Sequence, residues 1–491
     1  MKMKKIRKKL DRDLMEIDII YRAVKSRWFQ PALIWFNLFV FVILIMAGLV
    51  GTPMGNRNVA IMVIWIFWFF LLVVLLIPVG GRSWCMMCPL PAPGEWIQRR
   101  ALVSKNGEPW SLGIEWPKRL DNIWMQNFGF LVVAAFSPMI FFYPLATVIV
   151  LFVFIVLAVI AGIVFTYRGR TGRIFCRYIC PLGGFIGLYS LLGVLELKVK
   201  DEKICKARCQ VCDKSSEEVC SECGFKACIK GSKNGYGCPW FLFPGGLKRN
   251  AYCGLCTECI KTCDYDNMTF KIRPFAGDLL KERHLDESYK AFIMLGSAFV
   301  YAIAYLAWFP ELKDLSTIVM GSLLFGDWRI GRLFMFTLFL VGVCLVVLPS
   351  LHFAVSWTTQ KLAYPKQSIK DVFVAYSYSY VPLGLAGWWG FMLYMMMING
   401  SYLVALLSDP FGWGWNLFGT AGYSWRTYYA GLVPFLMLGI FLLGAAATTY
   451  TSWRISLRNL RGRKVALRAT LPIVPLVSFI TAVFVYVYVM S

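Results

Sequence analysis

Charge and histidine are scarce in this chain. Only 16% of its 491 residues are charged and two are histidines, His284 and His352. So little charge beside 58% hydrophobic content excludes an ordinary soluble protein. With only His352 in an apolar run, a bis-histidine haem within one chain is excluded, although a His/Met pair is not. Glycine-rich nucleotide fingerprints are missing as well: Pro244-Gly-Gly-Leu-Lys248 lacks the spacing of a phosphate-binding loop, which argues against a nucleotide-dependent dehydrogenase or an ATPase. No Asp or Glu falls inside the apolar runs as drawn below, which weighs against a proton pump or ion carrier. Residues 1–30 are basic and polar, without a short apolar segment ahead of a cleavage site. No repeat of solenoid period is present.

What the chain does have is long uncharged runs. Nine are expected to cross a hydrocarbon core about 30 Å thick: 31–50, 59–79, 124–143, 145–167, 291–309, 333–355, 372–398, 430–450 and 471–490. The net charge of +24 is explained by basic loops on one side of a bilayer, so no nucleic-acid partner is expected. Lys361, Lys366 and Lys370, then Arg454, Arg458, Arg461 and Arg463, fall in loops of one parity, whereas 399–429 carries Arg426 alone. The rule that cytoplasmic loops are positive places the N-terminus inside and Ser491 outside. The expected fold is a polytopic α-helical membrane protein of about nine spans with one cytoplasmic two-cluster ferredoxin-like domain. Its segments would be a basic arm (1–30), a four-helix membrane module (31–167), the ferredoxin-like domain (168–289) and a five-helix module (290–491).

Eleven of the sixteen cysteines lie between Cys205 and Cys263, which ends in Cys253-Gly-Leu-Cys256-Thr-Glu-Cys259-Ile-Lys-Thr-Cys263. This C-x2-C-x2-C-x3-C spacing lets soft thiolates wrap an iron–sulfur cube. In two-cluster ferredoxins the fourth cysteine of such a run crosses to the other cluster. Cys253, Cys256 and Cys259 would then share one cluster with Cys238, which Pro239 follows. Cys205, Cys209 and Cys212 would hold a second, completed by Cys263. Cys205 and Cys209 are separated by three residues rather than two, and Asp264 stands where proline is usual. Cys220, Cys223 and Cys228 stay unassigned; Cys209-x2-Cys212 with Cys220-x2-Cys223 also spells a structural zinc site, and the same thiolates cannot serve both.

Cys85-Met-Met-Cys88-Pro89 and Cys176-Arg-Tyr-Ile-Cys180-Pro181 follow the second and fourth runs at the same side. Adjacent hairpins could bring them together as a further cluster or metal site, or as redox dithiols favoured by Arg82, Arg173 and Arg177; a Cys-Pro pair can also merely mark a helix boundary. In the seventh run Tyr376, Tyr378 and Tyr380, with His352 of the sixth, make a polar patch that could receive a quinone headgroup, or anchor at the interface.

These motifs resemble the membrane-bound polyferredoxins of the NapH/NosR/CcoG type over about residues 30–280, most specifically along 252–267. The resemblance implies a prokaryotic inner membrane, two 4Fe–4S clusters, and electron exchange between the quinone pool or a cytoplasmic donor and a partner redox protein. The family carries two C-x3-C-P pairs, and Cys85 and Cys88 are one residue closer. The expected function is iron–sulfur electron transfer as one subunit of a membrane oxidoreductase complex. A redox-active assembly or regulatory factor for a metalloenzyme, and a transporter with a redox gate, are the alternatives.

Overall fold

Helices carry most of what the computed structural model describes, residues 13–103, 110–206, 226–307, 328–460 and 462–490. Among these, seven helices are long and apolar enough to span a membrane: Phe29–Val50, Val59–Gly80, Pro144–Val164, Leu285–Tyr305, Gly331–Ala363, Ile369–Asn399 and Ala430–Asn459. The pair Arg463–Thr470 and Ile473–Val489, bent by 45°, makes an eighth if it counts as one span. Phe36, Phe39, Phe152 and Leu443 stand exposed on these helices, a surface suited to hydrocarbon rather than water.

Two expected spans differ. Run 124–143 forms a helix only over Trp124–Ala135, 12 residues or about 18 Å, well short of a hydrocarbon core. Phe136 leaves helical geometry (φ −85°, ψ 3°) and the short Ser137–Ile140 helix begins there with Pro138 in its first turn. Pro138 has no N–H to offer Ala134, so the helix cannot run through it; hydropathy does not sense this. The fifth span begins at Leu285 rather than at 291, bringing Asp286, Glu287 and Lys290 into the helix. The Tyr378 hydroxyl donates to Glu287, and Lys290 stands 5.1 Å from the Phe130 ring centroid.

The chain divides into two compact units that do not follow its linear segments. One takes residues 44–74, 127–148 and 282–491. Its core is aromatic: Trp388 meets Tyr301 edge-on at 5.6 Å and donates to the Met294 carbonyl at 3.0 Å, while Phe441 and Phe484 stack at 4.9 Å. Gly444 permits close helix approach here, since a Cβ on it would lie 2.6 Å from that of Ala386.

The other unit takes residues 1–43, 75–126 and 149–281 and contains every described cysteine except Cys344. Its centre is an antiparallel ribbon of Leu195–Val199 and Met268–Ile272, with Leu197 opposite Phe270. Alternation buries Leu197 and Val199 and leaves Lys198 exposed. Residues 13–25, read from sequence as part of a basic arm, pack on this ribbon. Asp13 caps the first turn by accepting from the Met15 N–H at 3.0 Å, and Met15 and Val24 join Leu197, Val199, Leu255, Ile260 and Met268 in one cluster.

Replacing Leu197, 2% exposed, by alanine should destabilise this unit by about 2–5 kcal/mol. Lys198→Ala on the opposite face should change it by less than about 0.5 kcal/mol. Thermal melting of both purified variants checks the pair; equal melting points would contradict the assigned faces.

Candidate metal centres

The first site joins two loops that follow apolar helices. The Val59–Gly80 helix stops at Gly81, whose φ of +56° suits a residue without a Cβ, and a short Trp84–Met87 helix then presents Cys85, with Cys88 at its end. Beyond the Pro144–Val164 helix, a wide turn over Phe175–Ile179 carries Cys176. Cys180 caps the Pro181–Tyr189 helix, its sulfur accepting from the Gly183 N–H at 3.3 Å.

All four thiols lie within mutual electrostatic reach. Burial, with Cys180 and Cys85 nearby, pushes the Cys88 thiol up to about 12. Burial likewise raises Cys180 to about 11 and Cys176 well above the ordinary thiol value, with Arg173 only partly opposing the latter. Upward shifts are opposite to what activated redox dithiols need: Arg173 and Arg82 favour the thiolate, as the sequence suggests, but do not prevail over burial. Such thiols become thiolates when metal displaces their protons.

What the arginines also do is exchange between loops. Arg82, in the first loop, donates to the Cys176 carbonyl of the second at 2.9 Å; Arg173, in the second, donates to the Cys85 carbonyl of the first. Glu95 grips Arg173 through both oxygens, at 2.6 and 3.0 Å. Burial alone would raise the Glu95 carboxyl, but Arg173 and Arg99 outweigh it and hold it below its ordinary value. Sequence reading missed Glu95 altogether. The signal for the arginines was Arg-x2-Cys, present at Arg82–Cys85 and again at Arg173–Cys176.

The second site gathers Cys238, Cys253, Cys256 and Cys259. Burial raises the first three cysteines of the run, Cys253 to about 12, and Cys238 adds to the effect on each. The loop winds tightly, with Leu255 and Thr257 at φ of +50° and +62°, a conformation that costs non-glycine residues energy and turns successive thiols inward. Glu258 and Lys261, both buried, pair at 2.7 Å, and Glu258 also accepts from the Tyr236 N–H at 2.9 Å. Trp240 is fully buried, yet its indole N–H has no partner among the described residues. That N–H lies against Gly254, where an added Cβ would come within 2.3 Å of it. A buried free donor beside four thiols suits a group with acceptor sulfides, so these residues fit a 4Fe–4S cluster.

A third group forms from Cys205, Cys228 and Cys263. Burial raises Cys228 to about 12, and Cys205 and Cys263 add to the effect. The Asn267 side chain donates to the Cys205 sulfur at 3.2 Å and its backbone N–H to that of Cys263 at 3.4 Å. Cys209, Cys212, Cys220 and Cys223 lie outside the described residues, and with them the zinc pattern. Cys228, unassigned from sequence, therefore joins two residues of the expected second cluster. Among the described residues no three His, Cys, Asp or Glu side chains converge tightly enough to chelate a single ion.

Of the four residues read as a quinone pocket, His352 and Tyr380 meet, whereas Tyr376 and Tyr378 turn to other partners. His352 Nδ1 meets the Tyr380 hydroxyl at 3.1 Å, and its Nε2 meets the Phe373 carbonyl at 2.9 Å and Ser356 Oγ at 3.2 Å. Tyr376 turns to Ser456 and Tyr364, at 2.6 and 3.0 Å, and Tyr378 to Glu287. Each hydroxyl is buried and satisfied within the protein.

A family model described as a 4Fe–4S binding domain matches residues 61–106 and 145–200. The cysteines in these segments are Cys85, Cys88, Cys176 and Cys180, so the similarity falls on the two arginine-exchanging loops and supports iron–sulfur binding there. No curated protein and no solved structure matches the chain.

Gly254→Ala, which drives a Cβ into Trp240, should lower iron retention by roughly tenfold during dialysis against a chelator. Gly246→Ala, whose Cβ would meet only Phe243 at an ordinary 3.5 Å, should leave it unchanged. Equal retention in both would mean that the fit at Gly254 does not matter to the metal.

Proposed function

We propose that this protein transfers single electrons through iron–sulfur clusters at the boundary of a membrane, as one subunit of a larger redox complex. The observation that carries the reading is the gathering of Cys238 with Cys253, Cys256 and Cys259 around a buried indole N–H that has no partner among the described residues. Similarity of the Cys85 and Cys176 loops to a 4Fe–4S binding domain supports a second cluster. The third would use Cys205, Cys228 and Cys263 with a further thiolate from the cysteines at 209–223.

A bound cluster supplies reversible uptake of one electron without making or breaking a bond in the protein. The chain supplies everything around that event. Cysteine thiolates hold the metal, backbone N–H groups at Leu90, Gly183, Leu255 and Glu258 donate to the sulfurs, and apolar walls exclude water. Leu197, Leu255 and Ile260 are such walls. The cluster-bearing unit is read as cytoplasmic from the basic loops around it. Donor and acceptor are then partner redox proteins that dock there or lie alongside the apolar helices.

Iron, acid-labile sulfide and zinc per chain, measured on anaerobically purified protein, test this. About twelve irons with equal sulfide would support three cubes, and about eight would limit the reading to two. Cys256→Ala should remove about four irons, and Cys88→Ala a separate four. Zinc in place of iron in the wild type would overturn electron transfer.

A further inference from the structure

The first and second sites share their arginines. Arg82 donates to Cys176 in the first site at 2.9 Å and to the Ala251 carbonyl, two residues before Cys253, at 3.1 Å. Its guanidinium lies 4.5 Å from the Trp240 ring centroid, on the residue whose free N–H faces Gly254. Arg173 donates through its side chain to Cys85 and through its backbone N–H to Pro239, next to Cys238, at 2.8 Å. Both are 2% exposed. Glu95 neutralises Arg173 in part, whereas among the described residues Arg82 has only carbonyls and an aromatic face as partners and no carboxylate. The pair with Glu95 therefore carries a net positive charge, buried between two sets of thiols.

We propose that Arg82 and Arg173 are positioning and tuning residues that raise the reduction potentials of both sites together and make them one redox unit. This rests on the reading that both sites hold clusters. Adding an electron to either site increases negative charge there, and a buried cation within a few ångströms favours that form far more than a solvated one would. Because the Arg82 guanidinium touches both loops and that of Arg173 interacts electrostatically with both Cys176 and Cys256, neither potential can be set without moving the other. Arg82 and Trp240 also provide the short bridge of protein atoms between the two thiol sets, hydrogen-bonded at one end and stacked at the other.

The test uses full-length protein in detergent, titrated with dithionite and followed by electron paramagnetic resonance. Arg82→Gln should shift both cluster midpoints downward, each by roughly tenfold in the reduction equilibrium, about 59 mV for a one-electron couple. Glu95→Gln, which removes the counter-charge but keeps shape and one acceptor, should shift them upward. Lys198→Gln loses the same charge from the exposed ribbon face and should shift neither. Unmoved midpoints in Arg82→Gln and Glu95→Gln with iron retained would overturn the bridge. Iron lost from both variants would overturn it too, since the pair would then only hold the loops together. Midpoints moving at one site alone would refute the joint unit. A wild type without iron would instead refute the functional reading on which the bridge rests.

Discussion

Two guanidiniums exchanged between two loops hold the cysteine-bearing unit in register. Arg82 reaches from the first loop to the second, and Arg173 returns the contact. A backbone carbonyl buried beside a thiol needs a donor, and water would bring a polar, mobile solvent to a site that must keep its metal dry. Arginine answers both needs: it stays charged under burial and its fork can serve two carbonyls at once. Glu95 then becomes necessary, because a second uncompensated cation in the same interior would be expensive. The wide turn at Cys176, the stop at Gly81 and the close approach at Gly183 all follow from keeping these forks in place. A Cβ on Gly183 would lie 2.7 Å from the Cys176 carbonyl and 3.0 Å from Arg82.

The apolar helices meet the opposite constraint. Where backbone groups cannot reach water, helices satisfy their own hydrogen bonds, and polar side chains pair locally. His352, Tyr376, Tyr378 and Tyr380 illustrate this: each finds its partner on a neighbouring segment of its own unit. Clustering in sequence suggested a common pocket, yet residues two apart on a helix point about 200° around its axis from one another. Neighbouring tyrosines consequently belong to different clusters.

How much was legible varied with the range of the interaction. The Cys253–Cys259 spacing is local, so thiols wound inward could be read directly, and Pro239 marked Cys238 as their distant companion. Cys228 could not be placed, because its approach to Cys205 and Cys263 joins positions more than twenty residues apart, which spacing does not encode. Pro138 was visible throughout, but a hydropathy average treats it as nearly neutral and drew a span through the break. Glu95 gave no signal either, since an isolated carboxylate in a Pro- and Gly-rich loop reads as solvated until Arg173 is seen beside it. The paired Arg-x2-Cys was a further long-range feature open to sequence, and it became meaningful only once the two loops were seen to exchange donors.

The packing of residues 13–25 on the ribbon has a consequence for biogenesis. The Thr257 hydroxyl, within the Cys253–Cys259 run, donates to the Val24 carbonyl at 3.3 Å, and Lys25 pairs with Asp266 at 2.8 Å. A ribosome makes Val24 long before Thr257, with three helices long and apolar enough to span a membrane between them. The early helix waits without its partner while these insert, and the core closes only after the second ribbon strand has emerged. The second and third groups of thiols are thereby late to form: neither can be completed until residues 253–268 have followed the apolar helices of the first half of the chain out of the ribosome.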